Sequence, residues 1–181
     1  MIHRVETAYP GRYVFLLPKD EFATIRAYYN TTVKQIKGGP DTDVGLTPMK
    51  GIGDCEFTTV ERDGMHFWLV SKHSSPNYFY LKVADYFRPE PGRTLEIDLS
   101  YFDTGSGDVA LDYDSTDIRF PGGGAFKRYP YAIHRMNSGQ WKLARFYVSD
   151  AGFGGTENNA DLRFYNDGDD LLISAVQMLR K

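Results

Sequence analysis

The chain has 181 residues, 41% hydrophobic and 25% charged, with a formal net charge of −3. That fits one domain over residues 1–181, long enough to bury a core without staples. No dense basic stripe is present to meet a polyanion, so nucleic acid is not an expected partner, and no eighteen-residue apolar run exists to insert in a membrane. The lone cysteine, Cys55, cannot form an internal disulfide. The unusual figures are 13 tyrosines and 12 phenylalanines beside 18 glycines and 9 prolines. Aromatic segments punctuated by such breakers favour an all-β domain. The opening MIHRVETAYPGR lacks the apolar core of a signal peptide. It fits an intracellular protein or, as we prefer, a domain of a longer secreted chain, placed outside the cell or in the periplasm.

In chain order, Ile2 to Glu6 reads as an edge strand and Tyr13 to Leu17 as a short strand stopped by Pro18. Phe22 to Tyr28 and Thr32 to Lys37 alternate loosely; a helix over 20–36 competes with them but is interrupted at Asn30-Thr31-Thr32. Residues 38–54, rich in Gly, Pro and Asp, read as a long loop, and loops of that length are commonly functional or tied by an ion. Cys55 to Val60 and Met65 to Val70 make a hairpin joined by Glu61-Arg62-Asp63-Gly64, in which Asp-Gly is a good turn dipeptide.

The clearest pattern runs from Asn77 to Ser115. Phe79, Leu81 and Val83 alternate with Tyr78, Tyr80 and Lys82; Leu95, Ile97, Leu99 and Tyr101 with Glu96, Asp98 and Ser100; Val109, Leu111 and Tyr113 with Asp108, Ala110, Asp112 and Asp114. A period of two predicts three strands with one face on a core and one in water. Asp103-Thr104-Gly105-Ser106-Gly107 reads as a hairpin turn between the last two.

Beyond it, Phe126 to His134 is strand-like but contains Pro130, which predicts an edge or a bulge. Trp141 to Val148 alternates with aromatics on both faces, and Leu162 to Phe164 and Leu171 to Met178 close the domain around Asn166 to Asp170. Ten or more short strands with frequent turns, and no convincing helical stripe, predict two antiparallel sheets face to face, or a barrel.

No catalytic motif is present, and His3, His66, His73 and His134 are scattered. The carboxylates cluster instead. Asp103, Asp112 and Asp114 are where a glycoside hydrolase or lyase would be sought, as a close pair across a cleft with one pKa raised. Loop carboxylates also suit calcium, although no calcium-loop spacing is matched. Solvated turns account for most of them. Exposed rings can stack on the apolar faces of sugars while polar groups take the hydroxyls. Tyr129, Tyr131, Trp141 and Trp68, with Arg128, are the candidate ligand-binding residues. Arg163 is expected to cross to a carboxylate such as Asp114 as a structural pair.

The segments YFYLKVADYF, TLEIDLSYFDTGSGDVALDYDS, GQWKLARFYVSDAGFGG and ENNADLRFYNDGDDLLISAVQM resemble the β-sandwich carbohydrate-binding-type accessory modules of bacterial polysaccharide-degrading enzymes. The resemblance covers roughly residues 77 to 179 and rests on fold-supporting residues: Tyr101, Asp103, Tyr113 and Asp114, then Trp141, Asp150, Phe153, Asp161 and Arg163. It implies a two-sheet antiparallel jelly roll of galactose-binding-like type. It further implies a non-catalytic module that holds a polysaccharide or oligosaccharide near a catalytic domain of the same chain, and a structural calcium on Glu6 and Asp161. The alternatives are the hydrolase or lyase above, and a structural or interaction domain marked by a flat apolar patch.

Overall fold

The computed structural model describes residues 32–36, 43–52, 54–62, 65–72, 77–87, 89 and 92–181. Its strands are β1 (Thr32–Ile36), β2 (Asp43–Val44), β3 (Leu46–Met49), β4 (Thr58–Arg62), β5 (Met65–Val70), β6 (Tyr78–Val83) and β7 (Leu95–Asp103). They continue with β8 (Gly107–Tyr113), β9 (Lys127–Arg128), β10 (Ile133–His134), β11 (Gln140–Val148), β12 (Leu162–Gly168) and β13 (Leu171–Arg180). All strand pairings are antiparallel and make two sheets. The front sheet runs β10-β8-β12-β6-β3, with β9 also on β8; the back sheet runs β11-β7-β13-β1-β2, with β5 on β13 and β4 on β5. This is the expected antiparallel two-sheet sandwich. No helix among the described residues is long and apolar enough to cross a membrane.

The inward faces are those the alternation predicts. Phe79, Leu81, Ile97, Leu99, Val109 and Leu111 are all fully buried, and Phe146, Phe164, Val176 and Met178 meet them from the remaining strands. Each such side chain stabilises the fold by about 1.5–3 kcal/mol relative to exposure. The β4–β5 hairpin is present, its turn at 63–64 lying outside the described residues. As Pro130 foretells, the 126–134 segment breaks into β9 and β10, both on the free edge of β8.

Three expectations change. First, β7 and β8 do not form a hairpin: β7 is in the back sheet and β8 in the front. The Asp103–Gly107 segment instead carries the chain from one layer to the other. Alternation fixes which face a side chain takes, and it says nothing about which strand lies beside it. Gly107 is required here, because at its φ of +112° a Cβ would lie 1.8 Å from the carbonyl oxygen of Asp167. Second, the 38–54 stretch is not structureless: β2 and β3 lie within it, and β3 adds an edge strand to β6, with Leu46 fully buried. Pro48 is tolerated because an edge strand need not donate on both sides. Third, the supposedly wet faces are partly closed: Glu96, Asp98, Asp112 and Asp114 are buried. Arg145 bonds Asp98, Lys181 reaches Glu96, and arginines cover Asp112.

The strands expected at Ile2–Glu6, Tyr13–Leu17 and Phe22–Tyr28 lie outside the described residues, as does 20–31 of the competing helix; Thr32–Ile36 is a strand.

One side chain that the sequence did not single out ties the layers together. Arg135 is 2% exposed. Its Nη1 donates to the carbonyls of Thr104 (3.1 Å) and Asp170 (2.9 Å). Its Nη2 donates to the carbonyls of Ser106 (2.6 Å) and Asp169 (2.7 Å) and to Asn166 Oδ1 (3.1 Å). The planar fork thus gathers the β7–β8 and β12–β13 crossings at one point, a geometry an ammonium cannot copy. Arg135→Met is expected to leave these acceptors bare, to cost about 3 kcal/mol and to lower the melting temperature by roughly 10 °C. Arg135→Lys should recover only part of that in the same thermal melt by circular dichroism.

Candidate ligand-binding face

The outer surface of the front sheet is assembled by register. Arg163 on β12 pairs with Tyr80 on β6 and with Asp112 on β8, and Asp112 pairs in turn with Arg128 on β9. One residue pair along, Tyr165 lies between Tyr78 and Ala110. Side chains two apart on a strand share a face, so Tyr78, Tyr80, Arg163, Tyr165, Asp112 and Arg128 all project outward together.

Their chemistry converges on Asp112, whose carboxylate is 1% exposed. It accepts Arg128 Nε and Nη2 (the latter at 3.1 Å) and Arg163 Nε (2.9 Å). The Arg163 guanidinium lies 4.0 Å from the Tyr78 ring centroid and 4.1 Å from that of Phe126, and its Nη1 donates to the Tyr80 hydroxyl at 2.8 Å. That hydroxyl donates to Asp54. Burial first, and then the Asp54 bond, pushes the Tyr80 phenol up to about 12, so it remains a donor. Burial opposes the charge on Arg163, but Asp112 and Tyr80 outweigh it and hold its pKa above the ordinary value.

Two rings on this face keep part of their surface in solvent. Tyr78 and Tyr165 are half-buried, with centroids 5.0 Å apart and planes 37° apart. Arg128 stands 5.3 Å over Tyr165 and its side chain is 47% exposed. The face therefore offers two rings fixed by cation–π contact, with guanidinium groups beside them. It can stack and hydrogen-bond.

The expected ligand residues are dispersed. Arg128 belongs to this face. Tyr129 packs edge-on against Phe146 (5.3 Å) at the open side of the sandwich, and Tyr131, 73% exposed, leans on Tyr129 (6.1 Å). Trp141 is on the outer surface of the back sheet, stacked on Phe67 at 5.0 Å. Trp68 turns inward and packs on Phe79 at 5.2 Å with 2% exposure, so it has no ring face for a ligand. The residues that sequence reasoning passed over are Tyr78 and Tyr165. Their signal was the outward phase of β6 and β12, which became a site only once the two strands were known to be neighbours.

The carboxylates of the enzyme alternative each accept hydrogen bonds from the chain itself. Asp103, in the back sheet, accepts Ser138 Oγ (2.6 Å), Ser138 N and Met136 N, and the Ser138 hydroxyl leads in holding its pKa below the usual carboxylate range. Asp114 accepts the amides of Thr156 and Phe126. Arg163 pairs with Asp112 and not with Asp114, because Asp112 is its direct cross-strand neighbour.

For the calcium expectation, Glu6 lies outside the described residues. Asp161, fully buried, accepts Lys82 Nζ (3.1 Å), the Val83 amide (2.8 Å) and the Gly155 amide (2.9 Å). Among the described residues no group of three or more His, Cys, Asp or Glu could hold a metal.

No protein-family model matches the sequence and no curated protein matches it. Among solved structures, the chain is similar to the CBM22-1–GH10 modules of the Clostridium thermocellum endo-1,4-β-D-xylanase 10B complexed with xylohexaose, at 12% identity and a TM-score of 0.44. That match covers 76% of this chain and 26% of the other, so the chain spans about a quarter of the xylanase chain. It is also similar to the C-terminal CBM6 of LamC from Zobellia galactanivorans, at 11% identity over 82% of this chain and 98% of that one, with a TM-score of 0.45. A carbohydrate-binding module of family 29 matches at 12% identity over 83% of this chain and 88% of that one, with a TM-score of 0.47. None of these structures lends a residue role to this chain.

Asp112→Asn is expected to leave two guanidiniums facing each other without a counter-charge. Thermal unfolding should show a loss of about 2–3 kcal/mol, discounted for the half-exposed Arg128.

Proposed function

We propose that the outer face of the front sheet binds a polysaccharide or oligosaccharide without acting on it. The observation that carries this reading is the Tyr78–Tyr165 ring pair held against Arg163 and Arg128, with Asp112 anchoring both guanidiniums from beneath. The apolar C–H face of a sugar ring fits a tyrosine face, and the fixed polar groups around it suit hydroxyls. Two rings and a few hydrogen bonds make a weak to moderate site. Such a site serves best within a longer, secreted chain whose catalytic domain it keeps close to the polymer, because tethering raises the effective concentration.

A second reading has its own support. Trp141, Leu143 and Tyr147 are 45%, 56% and 50% exposed and alternate along β11 on the outer face of the back sheet. Arg145, bound to Asp98, separates Tyr147 from the other two, and the apolar Trp141–Leu143 end is the part that suits an interaction surface.

Affinity electrophoresis through a panel of polysaccharides separates the two. Retardation by at least one polymer is expected, with Tyr78→Ala and Tyr165→Ala each weakening binding about tenfold, or ~1.4 kcal/mol, and Trp141→Ala leaving it unchanged. Loss of binding in Trp141→Ala alone would move the site to the back sheet. Absence of retardation on every polymer would favour the interaction reading.

A further inference from the structure

Next to the ring row, at the start of β12, Asp161 supports an inference independent of carbohydrate binding. A calcium ion takes six to eight oxygen ligands and tolerates no N–H in that shell. Around Asp161 the described structure places donors. Oδ1 accepts the Lys82 ammonium (3.1 Å) and the Gly155 amide (2.9 Å), and Oδ2 accepts the Val83 amide (2.8 Å). The nearby Asp114 carboxylate is occupied in the same way, by the Thr156 and Phe126 amides.

Room for the ammonium is built into the backbone. Gly155 has φ +61°, and a Cβ there would stand 2.7 Å from Lys82 Nζ and 3.0 Å from Asn159 Oδ1. The Asp161 side chain is 0% exposed and that of Lys82 28%, so the pair is shielded on one side and wet on the other. Its effect is mechanical as well as electrostatic. The amide of Asp161 donates to the Leu81 carbonyl and its carbonyl accepts from the Asp114 amide, so the link before β12 is pinned to β6 and β8 together.

These donors do not fit a divalent ion. We propose that the Lys82 ammonium is the resident cation at Asp161, fastening this end of the sandwich by an internal ion pair, so that Asp161 holds no calcium. An incoming ion would have to displace Lys82 and would still face two amide N–H groups.

The test uses the full chain, Glu6 included. Melting curves in excess EDTA and in millimolar calcium should coincide within about 1 °C, since a ligand that does not bind the native state does not stabilise it. Lys82→Met should melt roughly 5–10 °C lower in both buffers, because a buried carboxylate loses its counter-charge; Lys82→Arg should recover part of that. A saturable rise in the melting temperature of the unaltered chain with calcium, reversed by EDTA and lost in Asp161→Asn, would overturn the proposal. So would a Lys82→Met variant as stable as the parent. If Lys82→Met does not fold at all, that counts as the expected loss, and the calcium titration of the unaltered chain beside Asp161→Asn is then decisive.

Discussion

The front face depends on one carboxylate. Asp112 binds a guanidinium from the strand on either side, Arg128 of β9 and Arg163 of β12, and Arg163 then locks the rings of Tyr78 and Phe126. Buried ion pairs add little net stability, because desolvation offsets most of the attraction. What this one supplies is register. A slip of one residue between β8 and β12 would turn Arg163 into the core and Phe164 into water. The same network holds Tyr78 and Tyr165 before any ligand arrives, so little ordering entropy remains to be lost on binding.

Much of the fold was legible in the alternation. Phe79, Leu81, Ile97, Leu99, Val109 and Leu111 face inward as the period of two requires. Strand partners were not legible. The glycines at 105 and 107 resemble a hairpin turn, yet they serve a crossing between layers, where the backbone at Gly107 passes against Asp167. Nor does any local pattern announce Arg135. Its role comes from five acceptors contributed by two crossings distant in sequence.

The site was less legible, for a related reason. Of the candidate rings, Tyr131 and Trp141 are exposed, whereas the phase of Trp68 on β5 directs it at Phe79. Tyr78 and Tyr165 sit on different strands far apart in sequence, and only the β6–β12 register makes them one surface. Likewise the aspartates looked like solvated turn residues, and several proved to be buried because a cation from another strand reaches each of them. Lys82 with Asp161 and Arg145 with Asp98 repeat the arrangement of Arg163 with Asp112.

The two outer faces thus divide the aromatic surface. The front carries Tyr78 and Tyr165 among paired charges, and the back carries Trp141 and Leu143 beside the Arg145–Asp98 pair. The most direct test of the ring-face account is residue-resolved NMR during titration with a soluble oligosaccharide. The account predicts that shifts concentrate on the Tyr78 and Tyr165 rings and the Arg128 side chain, while the Trp141 indole stays still. Saturable shifts at Trp141, Leu143 and Tyr147 with a silent front face would contradict it.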